Sequence, residues 1–260
     1  MIYLTLFVLS ILLTRLIISC NFVTKTTTEE WKEKTVPTLG GTVIFVLFVL
    51  PMYFFYPLIA IGATLLFVVG VADDLRGMEI GFRLGVQLFV SVLLVLHFNV
   101  TDFCTITFIM LVSIFLVNAF NFIDNSDGIC LGIACLISIV FCPKLLVVLL
   151  PLLYYNINGK IYLGDCGSTV IGYLLCFFVL KDIYKIDGSY YGLIMIFAYP
   201  IVDTLFVIIR RILEGQKPWI GDQRHTSHLL TKIFNNQYIA INIIMFFQFV
   251  CIVYWSGILI

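Results

Sequence analysis

Long apolar stretches alternate with short polar joints along the whole chain. The stretches lie at 1–19, 39–72, 82–101, 103–120, 128–158, 169–181, 190–209 and 236–258. A helix needs about 20 apolar residues to cross a bilayer, so 39–72 and 128–158 are too long for one crossing. Pro51 and Pro57 interrupt the first of them and Pro143 the second, and each is therefore predicted to fold as a hairpin of two short spans. The pattern predicts an all-α polytopic membrane protein with about ten transmembrane helices.

The composition agrees with this class. Hydrophobic residues make up 62% of the 260 residues, charged residues make up 12%, and the mean hydropathy is +1.11. Soluble domains have roughly 45–50% apolar and about 25% charged residues, so the composition excludes soluble nucleic-acid-binding, coiled-coil and disordered classes. The polar joints are too short for an extramembrane domain, and residues 1–260 are expected to form a single integral membrane domain.

The charges are balanced in number but not in placement. The chain has 15 basic and 15 acidic residues. In the arrangement with about ten spans, 11 basic residues fall on one side of the membrane, three fall on the other, and Arg15 lies within the first span. Lys and Arg in short loops mark the cytoplasmic side, so both termini are predicted to lie outside. Twelve of the 15 acidic residues share the cytoplasmic side, which predicts a polar site at that face.

Five polar segments, all on the predicted cytoplasmic side, carry the candidate chemistry. They are KTVPTLGG (34–41), GVADDLRG (70–77), NAFNFIDNSDG (118–128), YLGDCGS (162–168) and the stretch from Pro200 to His228. Asp73 and Asp74 in the second segment have two interpretations. They either cap a helix terminus or form a carboxylate pair that handles a metal or a proton.

The third segment has a spacing that favours function. Asn118 and Asn121 are three residues apart and so share one face of a helix. Asp124 and Asp127 continue the same three-residue spacing. A plain turn beside a membrane does not need four amide and carboxylate groups in such a row. The segment is therefore predicted to contribute to a site.

Asp165 and two histidines are further candidates. Asp165 lies between two glycines ahead of an apolar helix. It belongs either to an ordinary loop into a capped helix or to a backbone that approaches an anion beside a carboxylate-bound cation. His225 and His228 lack a third His or Cys for a zinc site, and with Arg224 they indicate an anion-binding loop. Because Mg²⁺ favours carboxylates together with substrate phosphates, the segments predict phosphoryl transfer at the cytoplasmic membrane face.

The five segments, in this order and over nearly the whole chain, resemble the motifs of the polyprenyl-phosphate N-acetylhexosamine-1-phosphate transferase family, glycosyltransferase family 4. RRILEGQKPW followed by DQRHTSHLL resembles its undecaprenyl-phosphate N-acetylglucosamine-1-phosphate transferase branch. The alternative is the peptidoglycan branch, which transfers phospho-N-acetylmuramoyl-pentapeptide and typically has three successive histidines there.

The resemblance implies an activity and a location. A family member moves N-acetylhexosamine 1-phosphate from a UDP-sugar to undecaprenyl phosphate and releases UMP. This is the first step of a cell-surface glycan of the O-antigen, capsule or teichoic acid type. The resemblance also implies a multi-pass protein of the cytoplasmic (inner) cell membrane. The expected partners are the UDP-N-acetylhexosamine, undecaprenyl phosphate and membrane lipids, with no nucleic acid, and a homodimer is left open.

The resemblance also implies roles for individual residues. The expected catalytic residues are Asp73, Asp74 and Asp124, and the expected ligands of Mg²⁺, with Mn²⁺ as the alternative ion, are Asp165 and Asn121. The UDP-sugar is expected against Tyr162, Asn125, Ser126, Asp127 and Asn118. The phosphates are expected against Lys34, Arg224, His225 and His228.

Three questions stay open at the level of the sequence. The last motif of the family usually reads His-x-His-His, and here Ser227 replaces the middle histidine. The lipid phosphate either attacks the β-phosphorus directly or follows a double displacement through Asp73 or Asp74. A transporter or flippase is the alternative from another class, which intramembrane ionisable residues would support. The sequence offers mainly Arg15 and Asp203 for this, and both lie near the end of a span. A paralogue that binds its ligands without turnover is a further alternative.

Overall fold

The computed structural model describes residues 1–20, 36–183, 191–217 and 224–258. Within these ranges all regular secondary structure is helical, as predicted. The helices are α1 Ile2–Cys20, α2 Gly41–Met52, α3 Pro57–Arg76, α4 Ile80–Phe98, α5 Phe103–Ile123, α6 Ile129–Phe141, α7 Pro143–Ile157, α8 Asp165–Ile183, α9 Tyr191–Ile196, α10 Ala198–Leu213, α11 Thr226–Phe234 and α12 Gln237–Ile258.

Six of the described helices are long and apolar enough to cross a membrane, namely α1, α3, α4, α5, α8 and, over Gln237–Trp255, α12. The helices α2, α6 and α7 are apolar but shorter. Both α3 and α7 begin at a proline, which suits the first position of a helix because proline has no N–H to lose there. Pro51 instead lies inside α2, after a π-helical stretch at Phe45–Val49.

The apolar stretch 190–209, predicted as one span, is divided between two helices. α9 ends at Ile196, and α10 begins at Ala198. The fully buried Gln248 of α12 accepts a hydrogen bond from the Tyr199 N–H (3.0 Å) and donates one to the Ile196 carbonyl (2.8 Å). Backbone groups freed inside an apolar bundle need such partners. Pro200 is the local sign of the break, because it has no N–H to donate to the Ile196 carbonyl four residues earlier. Gln248, the partner of the freed backbone groups, is distant in the sequence.

Helix α8 forms the centre of the core. Of its most apolar 18 residues, 89% are buried, against 11% for α1. Helices α3 and α5 pack against α8, and glycines permit the close approach that is usual between membrane helices. A Cβ at Gly70 of α3 would lie 2.5 Å from the Cys166 nitrogen, and one at Gly172 of α8 would lie 2.8 Å from the Leu116 oxygen in α5. The packing brings the last turn of α3 to the start of α8.

Candidate active site

Two extended segments pair beside the start of α8. The Tyr162 N–H donates to the Pro37 carbonyl (2.7 Å), and the Gly40 N–H donates to the Tyr162 carbonyl (3.0 Å). Side chains larger than hydrogen do not fit at Gly40, where a Cβ would lie 2.6 Å from the Tyr162 oxygen. The pairing joins the first and fourth polar segments of the sequence and fixes the backbone that leads into Asp165.

Asp74 caps a helix, but not the next one along the chain. Its Oδ1 accepts a hydrogen bond from the Asp165 N–H (3.0 Å) and its Oδ2 accepts one from the Cys166 N–H (3.2 Å). Both donors belong to the first turn of α8, whose backbone N–H groups have no partner within the helix. Gly164 precedes them with φ +73°, a left-handed conformation that favours glycine. Asp74 thereby links the second and fourth segments.

Arg83, in the first turns of α4, bridges two carboxylates. Its Nη1 lies 2.5 Å from Oδ2 of Asp73 and 3.5 Å from Oδ2 of Asp165. The other oxygen of Asp73, Oδ1, accepts a hydrogen bond from the Met78 N–H (2.6 Å). Both oxygens of Asp73 are therefore engaged, and one guanidinium faces carboxylates from two segments.

A cleft opens between α3, α4 and α8 beside this ion-pair cluster. Gln87 of α4, in its wall, exchanges hydrogen bonds with Asn118 of α5: the Asn118 amide nitrogen donates to Gln87 (2.6 Å), and the Gln87 amide nitrogen donates back (3.3 Å). Asn118 thus lies behind Gln87. The residues that line the cleft are Leu66, Val69, Gly70, Asp73, Arg83, Gln87, Asp165 and Thr169.

Asp124 follows the last residue of α5 and is partly buried. Burial, together with the negative charges of Asp165, Asp74 and Asp127, raises the pKa of the Asp124 carboxyl well above its usual range. A charge acts strongly on a titrating group only at short range. Four acidic residues from three sequence segments are therefore gathered in one electrostatic cluster.

The donor set around Asp165 fits a Mg²⁺ ion shared with a substrate rather than held by the protein alone. Among the residues that the structure describes, no three His, Cys, Asp or Glu side chains could hold a metal ion together. Mg²⁺ commonly uses one or two carboxylates plus substrate phosphates. The Asn121 amide would bind such an ion through its oxygen. Its buried Nδ2 has no hydrogen-bond partner, and this nitrogen can donate to a phosphate oxygen of the substrate.

The turn after α5 is held from two sides. The Asn125 amide nitrogen donates to the Phe122 carbonyl (2.7 Å). The buried Asn156 of α7 accepts a hydrogen bond from the Gly128 N–H (2.7 Å) and donates one to the Ile161 carbonyl (2.9 Å). Asn156 thereby ties the turn that carries Asn125 to the segment that carries Tyr162.

Ser227, which replaces the usual middle histidine, joins the fifth segment to this turn. Its hydroxyl donates to Asn125 Oδ1 (3.2 Å) and lies 3.3 Å from the Ser126 hydroxyl. Ser227 is buried. In this chain the departure from the family motif therefore serves as a docking contact between α11 and the turn after α5.

The residues expected to contact phosphates differ from one another in burial and in partners. His225 is buried, and its Nδ1 lies 2.8 Å from Asp203 Oδ2. The ring of His228 has its centroid 6.2 Å from that of His225. Arg224 is 45% exposed and lies 3.0 Å from a Glu214 carboxylate oxygen. Lys34 lies outside the described residues.

Four further polar residues shape this region and are not among the residues expected from the sequence. Gln87 follows Arg83 by four residues and so shares its face of α4. Asn156 is one of two amides at the end of the apolar stretch 128–158, a weak signal of a buried contact. The residues are Arg83, Gln87, Asn156 and Asp203.

Comparison with known proteins agrees with the motifs. Residues 56–182 match the profile of glycosyl transferase family 4. A protein of Bacillus subtilis (strain 168), named as a probable undecaprenyl-phosphate N-acetylglucosaminyl 1-phosphate transferase, is 27% identical over 267 residues, which cover 87% of this chain and 74% of the relative.

Two further relatives are named undecaprenyl-phosphate alpha-N-acetylglucosaminyl 1-phosphate transferase. The Thermotoga maritima protein is 23% identical over 228 residues, which cover 82% of this chain and 74% of the relative. The Escherichia coli (strain K12) protein is 25% identical over 141 residues, which cover 45% of this chain and 38% of the relative. The resemblance to this family branch is confirmed.

Proposed function

We propose that this chain, whose residues 56–182 match the profile of glycosyl transferase family 4, transfers N-acetylhexosamine 1-phosphate from a UDP-sugar to undecaprenyl phosphate and releases UMP. The product would begin a cell-surface glycan. The observation that carries the proposal is the ion-pair cluster of Asp73, Arg83 and Asp165, with Asp74 on the first turn of α8. Relatives named for this reaction support the same substrates.

The carboxylates and amides at the site suggest how the diphosphate is held. Asp165 and Asn121 would hold Mg²⁺, or Mn²⁺ in its place, together with the phosphate oxygens. Bound there, the ion would neutralise charge on the diphosphate. Tyr162, Asn125, Ser126, Asp127 and Asn118 remain the proposed UDP-sugar contacts, and Arg224, His225 and His228, with Lys34, remain the proposed phosphate contacts.

The hydrogen bonds and ion pairs of Asp73 and Asp74 favour direct attack by the lipid phosphate on the UDP-sugar. A phosphomonoester has a second pKa near 6, so the lipid phosphate is mostly dianionic at about pH 7 and needs no base. Both oxygens of Asp73 and both oxygens of Asp74 already accept hydrogen bonds or ion pairs. Asp73 then orients Arg83, with which it forms an ion pair, and does not form a covalent intermediate. An oxygen of the lipid phosphate bonds to the β-phosphorus, the bond to the UMP oxygen breaks, and UMP leaves.

The directions of the helices support the arrangement with about ten spans. Helices α2, α4, α6 and α8 lead away from the site, and α3, α5 and α7 lead back to it, because the site residues lie at the corresponding ends. Helix α1 leads toward the site, since Arg15 donates to Tyr155 in the last turns of α7 (2.8 Å). Helices α9 and α10 together form one return, and α12 leads away. Both termini then lie on the face opposite the site. We propose that the site faces the cytoplasm and that the protein lies in the cell membrane.

One assay tests the activity. Purified protein, Mg²⁺, undecaprenyl phosphate and UDP-N-acetylglucosamine or UDP-N-acetylgalactosamine are incubated, and UMP is measured. Asp165→Asn should reduce UMP release by about 100-fold or more, because a neutral amide binds Mg²⁺ poorly. Asp102→Asn is the matched control: Asp102 caps α5 at the opposite end through the Thr105 N–H (2.8 Å), and Asn caps equally well.

The outcomes separate the proposals. No UMP from the unchanged protein with either sugar would refute the activity. Full activity in Asp165→Asn would refute the metal role alone. Stoichiometric UMP release without lipid acceptor would refute direct attack and favour a covalent intermediate.

A further inference from the structure

Asp203 of α10 forms three hydrogen bonds with His225 and Thr226, at the start of α11. Its Oδ2 lies 2.8 Å from Nδ1 of His225. Its Oδ1 accepts from the Thr226 N–H (2.8 Å) and from the Thr226 hydroxyl (2.6 Å). Asp203 is 0% exposed and His225 is 3% exposed. A buried carboxylate is costly unless it is fully partnered, and these donors satisfy it.

The two oxygens of Asp203 have different tasks. Oδ1 caps the first turn of α11, a structural role. Oδ2 is left for the imidazole, and since an ionised carboxylate only accepts hydrogen bonds, the Nδ1 of His225 must carry a proton. Nε2 is then the one ring nitrogen that remains for a ligand. A carboxylate partner of this kind fixes both the tautomer and the orientation of a histidine.

We propose that Asp203 is a positioning residue for His225: it holds the Nδ1 proton and the plane of the ring so that Nε2 can act on a phosphate of the substrates. The inference rests on the proposed function, in which His225 contacts a phosphate. Asp203 itself touches no substrate in this arrangement.

Asp203→Asn separates positioning from capping. The amide oxygen of asparagine still accepts from Thr226, and asparagine caps a helix as well as aspartate does. Its NH₂ group, however, takes the place of Oδ2 and must donate to Nδ1, which moves the ring proton to Nε2. A positioning role predicts a fall in kcat/KM of about 10–100-fold with an unchanged melting temperature. A purely structural role predicts activity close to that of the unchanged protein.

Thr226→Val is the matched control. It removes the hydroxyl that binds Asp203 and lies 3.0 Å from the Tyr199 hydroxyl, but it keeps the bond between Asp203 and His225. It should lower the melting temperature slightly and leave kcat/KM within about twofold, since a single neutral hydrogen bond contributes about 1 kcal/mol to stability.

A double-mutant cycle tests whether Asp203 acts through His225. His225→Ala removes the group that is positioned, so Asp203→Asn in that background should cause little further loss. Multiplicative losses in the double variant would overturn the proposal, because Asp203 would then act independently of the ring.

A spectroscopic measurement makes the test independent of activity. The chain has three histidines, His97, His225 and His228, so ¹⁵N-histidine labelling and single substitutions assign each ring. At a pH where the ring is neutral, His225 should be protonated at Nδ1 in the unchanged protein and at Nε2 in Asp203→Asn. A neutral His225 protonated at Nε2 in the unchanged protein would overturn the inference even if UMP release is normal. Absence of UMP release with the expected tautomer would instead count against the proposed function.

Discussion

Arg83 counters the repulsion between carboxylates that different parts of the chain bring together. The guanidinium contacts Asp73 and Asp165, while the charges of Asp74 and Asp165 help to raise the pKa of the nearby Asp124 carboxyl. Like charges at such separations raise the energy of the ionised site. The arginine therefore has a local electrostatic task in addition to any preference of basic residues for the cytoplasmic side.

Arg83→Gln should lower UMP release by about 10–100-fold, because Asp73 and Asp165 lose the cation that orients them. Arg83→Lys should recover part of the activity, since an ammonium keeps the charge but lacks the rigid fork of the guanidinium. Arg76→Gln, at the exposed end of α3, removes the same charge from the same region and should retain activity. Equal losses in Arg83→Gln and Arg76→Gln would contradict a specific role of Arg83.

For individual residues, the sequence identifies the acidic side chains of the site but not their partners. Asp73, Asp74 and Asp165 stand out because charges are rare in so apolar a chain. Their pairings do not, since Arg83 and Asp165 are joined only when α4 and α8 pack around α3. Asp203 stands out as an ionisable residue in an apolar stretch, yet its bond to His225 depends on a fold that spans 22 residues of chain.

Helix packing sets the geometry of the site through the contact between α3 and α8. Gly70 lies one turn before Asp73 and Asp74, and a Cβ there would lie 2.5 Å from the Cys166 nitrogen and 2.7 Å from the Asp165 carbonyl carbon. Both are backbone atoms, so no side chain can rotate away. The two helices approach this closely only because Gly70 lacks a side chain.

Gly70→Ala should therefore force α3 and α8 apart and destabilise the protein by about 1–3 kcal/mol or more, with a loss of activity because Asp74 no longer reaches the first turn of α8. The measurements are the melting temperature in detergent and UMP release. Gly85→Ala in α4 is the matched control, because a Cβ at Gly85 meets nothing within 4 Å. A Gly70→Ala protein as stable and active as the control would show that the contact has no such importance.

The pattern of apolar residues predicts most of the helices. It does not predict a helix break whose free backbone groups bond to a side chain of another helix. The long stretches at 82–101 and 103–120 correspond to α4 and α5, because each is bounded by polar joints in the sequence itself. The stretch 190–209 has no internal polar joint at Phe197, and Pro200 is its one local sign of a break. Gln248, about 50 residues later, bonds to the backbone groups that the break frees. Local hydropathy cannot report a partner that arrives from another helix.

The whole molecule concentrates its chemistry at one end of the bundle. The last residues of α3 and α5 and the first residues of α4 and α8 form the cluster, although they come from distant parts of the chain. This requires that successive crossings reverse direction, including the short pairs α2–α3 and α6–α7. If either pair failed to cross and return, the polar segments would lie on opposite faces.

Two native cysteines test this arrangement without a new label site. Cys20 ends α1 and Cys104 lies in the first turn of α5, and both are exposed. α1 leads toward the site and α5 begins away from it, so the proposed topology puts Cys20 inside the cell and Cys104 outside. A membrane-impermeant maleimide applied to intact cells should label Cys104 and spare Cys20, while permeabilised cells should label both.

Cys104→Ser should abolish labelling in intact cells, and Cys20→Ser should leave it unchanged, which assigns the signal to one residue. The other cysteines are buried except Cys251, which is partly exposed and lies in α12, so Cys251→Ser is included in the background. Labelling of Cys20 but not Cys104 in intact cells would invert the molecule and place the site outside, where a UDP-sugar made in the cytoplasm cannot reach it. Labelling of both would mean that α1 and α5 do not present opposite faces, and the alternation of crossings would be wrong.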